Sequence, residues 1–324
     1  MTPESTTPVQ RWGITVPFNG VALHEHRSWF EELVDLGYTD IWSSEADGHD
    51  AFTPLALAAA WTPSLRLGTA VVPAYTRGPA LLAQTVASLV DAAPGHVALG
   101  LGTSSNVIVE RWNGIPFDKP YQRVRDTIRF LRAALSGEKV TEEYETFSVR
   151  GFRCGVKVDV PPPILVGALR QGMLKLAGTE GDGAIVNWLS ADDVRTVAPY
   201  VNGKELAARI FVLPSEDRDA VRFVARRMIA AYLNVPVYAA FHDWLGRGEM
   251  LTPMWDKWQA GDRKGATEAI PDELIDQLVV HGSPEECRAH LQRYVDNGIT
   301  TPAPAILAGP DETRRLIRAL APGA

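Results

Sequence analysis

Eight short, nearly charge-free runs, each followed by apolar residues at helical spacing, constrain this chain more than any other feature. The runs lie at 11–17, 39–43, 66–72, 97–101, 163–167, 183–188, 206–213 and 299–307. Helical periodicity follows at 25–37, 54–61, 79–92, 120–136, 171–179, 191–200, 217–233 and 311–320, with another helix at 284–297 stopped by Gly298. Strands covered on both faces read as continuous apolar runs, and parallel strands need crossover helices. The rhythm predicts an α/β fold, a (β/α)8 TIM barrel with insertions, in one domain over 1–324. A doubly wound open sheet has the same periodicity and stays open as the alternative.

Two stretches break the rhythm. Residues 138–160 are polar, and FSVRGFRC within them suits a small hairpin. Residues 234–282 carry Trp244, Met250, Met254, Trp255 and Trp258. These side chains either pack among themselves as a helical subdomain or form a lid over an apolar substrate.

The formal net charge of −7 argues against non-specific nucleic-acid binding. Cys154 and Cys287 lie far apart without CxxC spacing, which disfavours a disulfide framework and a cysteine zinc site. No apolar run reaches the length of a membrane span, and MTPESTTPVQ lacks the layout of a signal peptide. A cytoplasmic protein is expected, with neither membrane nor nucleic acid as partner.

A barrel of this kind places its chemistry at the C-terminal ends of the strands. After the second run comes SSEADGHD, where Glu45, Asp47, His49 and Asp50 fall within six residues. Carboxylate and imidazole together suit proton transfer, but neither HExxH nor HxH spacing is present and no metal is expected. Glu45 follows the strand most directly. Thr69, Ala70 and Val71 end the third run. The fourth ends in Gly102, Thr103, Ser104, Ser105 and Asn106, a small polar loop suited to a planar polar ring. Its lone GxG is not followed by GxxG, so a Rossmann nicotinamide site is not supported. After the fifth run, GALRQGMLKLAG opens a helix whose free N–H groups, with Arg170, make an anion site. Asn187 and Trp188 end the sixth.

The pieces LGTAVVPAYTRGPALLAQTVASL, VALGLGTSSNVIVERWNG, PPPILVGALRQGMLKLAGTEGDGAIVNWLSADDV and GSPEECRAHLQRYVDNGI occur in an order and spacing that resembles the bacterial luciferase-like monooxygenase superfamily. Within it the chain resembles actinobacterial oxidoreductases that use the deazaflavin coenzyme F420, from about residue 12 to 309. The resemblance implies a (β/α)8 barrel with the cofactor ring at its C-terminal mouth. It implies a non-prolyl cis peptide at Ala70–Val71 backing the ring, with Thr69 beside it. It places the ribityl phosphate on Gly167, Ala168, Leu169 and Arg170, and the ring and ribityl chain against Gly102 to Asn106, with Asn187 and Trp188 completing the cofactor site. The F420 tail would meet Arg170, Lys175 or Arg77. Sugar-phosphate dehydrogenases of this group carry an acid–His pair after strand two and a Glu in the strand-four loop. Here those positions read Glu45-Ala46 and Ser105, which disfavours that reaction. The resemblance thus implies hydride exchange between reduced F420 and a small-molecule organic substrate, with a homodimer as the expected assembly. The alternatives are an FMN-dependent monooxygenase using dioxygen and a cofactor-binding protein without turnover. Glu45 is the first candidate proton donor and also touches the cofactor in this reading; His49 and Tyr75 stand in reserve.

Overall fold

The computed structural model describes residues 9–323. The N-terminal segment read against a signal peptide therefore lies, through residue 8, outside the described residues. The strands are β1 (Gly13–Val16), β2 (Asp40–Ser43), β3 (Arg66–Thr69), β4 (Val72–Pro73), β5 (Val97–Gly102), β6 (Val140–Glu143), β7 (Ser148–Phe152), β8 (Ile164–Gly167), β9 (Gly183–Asn187), β10 (Glu205–Leu213), β11 (Val279–His281) and β12 (Thr301–Ile306). Ten of them form one curled parallel sheet, in the order β1-β2-β3-β5-β8-β9-β10, with β11 and β12 both pairing β10. The α/β class read from the apolar runs is the one observed. At the sheet's two ends, Arg11 N donates to Thr300 O at 2.9 Å and Thr15 Oγ1 donates to Ala303 O at 3.1 Å.

Alternation along each strand sorts side chains to the two faces. One face meets the surrounding helices in a core that includes Leu33, Leu55, Val86, Ile128 and Leu174. The other holds Trp42, Ala98, Leu165, Ile185, Ala207 and Ala303. The Trp42 ring fits because Gly13 and Gly68 face it: a Cβ on Gly13 would stand 2.8 Å from the ring, and one on Gly68 would overlap it. At the N-terminal ends of the strands, the Arg66 guanidinium bonds Asp40 and both oxygens of Glu205 and lies over Trp42 at 5.3 Å.

The third run is divided. β3 pairs the start of β5, β4 pairs its end, and the peptide Ala70–Val71 between them is cis. The stretch 138–160 contains the antiparallel pair β6 and β7, a larger hairpin than FSVRGFRC alone.

The second insertion differs more. The helix Arg218–Leu233 reads in sequence as an ordinary barrel helix. It packs instead against Pro236–Trp244, Arg263–Glu268 and Asp272–Leu278. Its Val221, Ala225 and Ile229 share a second core with Leu251, Met254 and Leu274, over the C-terminal ends of β10 and β12. The insertion thus begins just after Leu213 rather than at 234, and Pro284–Asp296 packs on β11 and β12. An amphipathic stripe buries equally well on a sheet or on neighbouring helices, so periodicity alone could not tell them apart. Met254 is fully buried, Trp255 donates its indole N–H to Leu233 O at 2.9 Å, and Trp244 packs on the main core. The insertion's aromatic side chains thus go mainly into its own packing. Cys154 and Cys287 are both free and buried. Among the described residues no helix is long and apolar enough to cross a membrane.

Candidate functional site

The link between β3 and β4 and the C-terminal ends of β5 and β8 meet around one side chain. Val71 lies across two glycines: a Cβ on Gly102 would stand 2.6 Å from Val71 Cγ2, and one on Gly167 would stand 3.1 Å from Val71 Cγ1. Larger residues at either position would push Val71 aside. The result is a low apolar shelf made of one valine and bare backbone. Thr69 takes no direct part in it, since its hydroxyl is held 2.8 Å from both the N and the O of Gly100.

Beside the shelf, Ala168 N donates to Ile185 O at 2.9 Å, and the chain turns into the helix Gln171–Thr179. Arg170 is its extended N-cap and gives no side-chain cap. Helix geometry leaves the first N–H groups without intrahelical acceptors. Gly172 leaves open space where a Cβ would stand. The exposed Arg170 adds a full positive charge to the dipole's positive end. Leu169 is half-buried against the main core.

The loop after β5 borders the shelf. Thr103 Oγ1 donates to Ser104 O at 3.1 Å, and Ser104 adopts φ 61°. Ser105 Oγ accepts from Ile108 N at 3.4 Å and, with Asn106, opens the π-helical turn Val107–Trp112. All four residues from Thr103 to Asn106 are half-buried, so each keeps some open surface.

Glu45 is held by two other loops. Its Oε1 accepts from Arg77 at 2.6 Å and from Thr76 Oγ1 at 3.4 Å, while Oε2 accepts from Ala51 N at 3.3 Å. Arg77 also approaches Asp50 at 3.8 Å and lies over Phe52 at 5.0 Å. The carboxylate therefore ties the loop after β2 to the loop after β4, and Arg77 is already engaged. His49 is exposed on the same loop. The Tyr75 hydroxyl donates to Asp118 O at 2.6 Å, and burial pushes its pKa up to about 12.

On the opposite wall stand residues that the apolar runs concealed. Asn187 Oδ1 accepts from the Tyr238 hydroxyl at 3.0 Å, and Asn187 is the register partner of Arg209. Trp188, at φ 52°, is buried and stacks on Phe211 with centroids 4.3 Å apart. Arg209 and Tyr238 were missed: one sits inside the run LAARIFVL, the other in the insertion. A single charge in the middle of a buried strand was the available signal for Arg209.

Three comparisons bear on this geometry. The chain is 28% identical over 292 residues to an F420-dependent glucose-6-phosphate dehydrogenase of Kineococcus radiotolerans, covering 82% of each chain. It is 25% identical over 301 residues to the 5,10-methylenetetrahydromethanopterin reductase of Archaeoglobus fulgidus, covering 87% of this chain and 89% of that one. The structure of the coenzyme F420 dependent tetrahydromethanopterin reductase from Methanopyrus kandleri superposes with a TM-score of 0.77 at 19% identity, covering 96% of this chain and 97% of the other. The model of the luciferase-like monooxygenase family matches residues 5–301, nearly the whole length, and the chain belongs to that family.

Proposed function

We propose that the protein is an F420-dependent oxidoreductase that exchanges a hydride between the deazaflavin and an organic substrate at the C-terminal mouth of a closed (β/α)8 barrel. Closure is supported by the hydrogen bonds that Arg11 and Thr15 make to Thr300 and Ala303. The observation that carries the cofactor reading is the shelf beside an uncapped helix start. Val71 over Gly102 and Gly167 gives a flat apolar seat, and a Cβ on either glycine would disturb it. In the reading from the resemblance Gly167, Ala168, Leu169 and Arg170 hold the phosphate. The Ala168 N–H is spent on Ile185 O, so the backbone at Gly167 and Ala168 would shape the seat, while N–H groups from Leu169 into the first turn of the helix and the Arg170 guanidinium would bind the anion. Thr103, Ser104, Ser105 and Asn106 would offer hydroxyl, amide and backbone groups to the ring and ribityl edge, with Ala70 and Asn187 at the border. When bound, the deazaflavin supplies the hydride chemistry. The protein's share is to orient the reactants and to exclude water. Glu45 and Arg77 hold two mouth loops in register. A proton for the substrate would come from Glu45 or His49 in the reading made from the sequence, and the Glu45–Arg77 pair favours His49 for that task.

Titration of the apoprotein with F420 and FMN in parallel tests the reading. F420 should bind much more tightly, and Arg170→Glu should weaken it by about 1–3 kcal/mol as a charge-assisted contact becomes a repulsion. Equal or better affinity for FMN would move the protein to the flavin-dependent monooxygenases. An unchanged F420 dissociation constant in Arg170→Glu would remove Arg170 from the site.

A further inference from the structure

Arg209 occupies an unusual place. It lies on the inward face of β10, two residues beyond Ala207, which packs with Trp42, Leu165 and Ile185 in the interior of the curled sheet. Its guanidinium lies over the Phe211 ring at 4.9 Å. Its Nε is buried and finds no hydrogen-bond partner, and it forms no ion pair among the described residues. Arg209 as a whole is half-buried, and a buried guanidinium nitrogen left without an acceptor is costly, so folded chains normally pair it.

The neighbouring polar groups are neutral. Asn187 stands opposite Arg209 across β9 and β10 and accepts the Tyr238 hydroxyl. Burial pushes the Tyr238 pKa up to about 12, so its phenol keeps its proton at ordinary pH. The rest of this wall is aromatic, with Phe211 stacked on Trp188.

The geometry points to a carboxylate-binding subsite at Arg209, flanked by Tyr238 and Asn187, for an organic carboxylate substrate with an apolar body. This rests on the hydride-transfer reading for the reaction but not for the binding. A carboxylate matches the planar guanidinium fork in shape and in charge. One guanidinium among neutral donors balances a monoanion, whereas a dianionic phosphate ester asks for further cations. The aromatic wall takes the carbon body, and the Tyr238 hydroxyl stands by as a neutral donor.

Calorimetric titration of the apoprotein with benzoate, benzyl alcohol and inorganic phosphate tests the subsite. Benzoate should bind at least ~10-fold more tightly than benzyl alcohol, and Arg209→Met should weaken benzoate by roughly 10- to 100-fold, the usual worth of a hydrogen bond to a charged group. Tyr238→Phe should weaken it by a few-fold. Circular dichroism checks the fold. If Arg209→Met does not fold, Arg209→Lys, which keeps charge without the fork, should lose about 10-fold. Absent benzoate binding, equal affinity for benzyl alcohol, tighter binding of phosphate, or undiminished benzoate affinity in the Arg209 variants each overturns the proposal. The F420 titration of the unaltered chain reads the reaction class separately. No F420 uptake alongside Arg209-dependent benzoate binding removes the hydride reading and keeps the subsite; the reverse pattern removes only the subsite.

Discussion

Arg66 and Arg209 lie on the same sheet, one at the N-terminal ends of the strands and one toward the C-terminal ends, and their surroundings are opposite. Arg66 gives its Nε to Asp40 and one terminal nitrogen to Glu205 at 2.9 Å, with the other on the second Glu205 oxygen. Burial opposes its charge, and Glu205 with Asp40 more than compensates, so its pKa rises. Thr301 closes the cluster with a 2.8 Å bond to Glu205. Arg209 has no such acceptor, and the Trp188 indole, which stacks on the same Phe211 ring, likewise has its Nε1 buried without a partner among the described residues. One end of the sheet pairs its charged groups internally, although the Trp42 Nε1 beside Arg66 is buried without a partner among the described residues. The other keeps donors free, as expected of a face that receives ligands.

The largest effect should come from the satisfied end. Arg66→Met removes the cation that two buried carboxylates share and leaves only Arg11, 3.6 Å from Asp40; breaking a buried pair in this way costs about 3–5 kcal/mol. Urea unfolding should show a lower midpoint at an unchanged slope. A loss under ~1 kcal/mol would mean that the cluster is looser than its hydrogen bonds imply, and the contrast between the two ends would fail.

Acid should act next, through two buried histidines. His242 is fully buried, and burial first, then Arg247, pushes its pKa down to about 4 from 6.5. His290 is likewise lowered to about 4, by burial and then Arg293. The unfolded chain takes up these protons below about pH 6.5 while the fold excludes them until about pH 4. Stability therefore falls as pH drops through that window and levels off below it, by ~2–3 kcal/mol per histidine at most. Glu205, whose pKa Arg66 holds below the usual 4.5 against the cost of burial, adds a further loss at still lower pH. Urea midpoints of the unaltered chain and of His242→Gln across pH 4–7.5 should converge as pH falls. Parallel curves would mean that His242 is protonated without cost.

A smaller effect concerns the loops at the C-terminal ends of the strands. The side chains of Glu45 and Arg77 are 15% and 18% exposed. A double-mutant cycle of Glu45→Gln and Arg77→Met should give a coupling of about 1 kcal/mol in stability. Turnover should fall alike in both variants if the pair positions the loops. A loss of ~10²–10⁴-fold confined to Glu45→Gln would instead identify it as the proton donor.

Much of this molecule is legible in its residues, and the unread part has a common cause. The strands from Gly13–Val16 to Thr301–Ile306 stand where apolar runs stop at polar or glycine residues, because burial on both faces leaves little room for anything else. The helix Gln171–Thr179 falls on its predicted bounds, and the cis peptide stands at Ala70–Val71, where the family resemblance implies it. What escapes is partnership at long range. Nothing local shows that Arg218–Leu233 packs on the insertion, that Glu45 meets Arg77 across 32 positions, or that Asn187 meets Tyr238 across 51. Periodicity reports which face is buried, not what buries it.

The smallest expected effect returns to Arg209 and is the sharpest check on the comparison. Substituting Arg66 takes the shared cation from two carboxylates, but substituting Arg209 takes one from none, since no carboxylate among the described residues pairs with it. Arg209→Met keeps an unbranched chain of similar reach over Phe211 and removes a charge held partly out of water. Stability should therefore change by less than ~1 kcal/mol, and a small gain is as natural as a small loss, because an apolar side chain of similar volume can replace a buried charge without penalty. Thermal and urea unfolding of the ligand-free variant measure this directly. A loss near that of Arg66→Met would show that Arg209 has structural partners of its own, and the mouth would then be a second satisfied end. Unchanged stability together with lost benzoate binding would locate the value of this arginine in what it receives rather than in what it holds together.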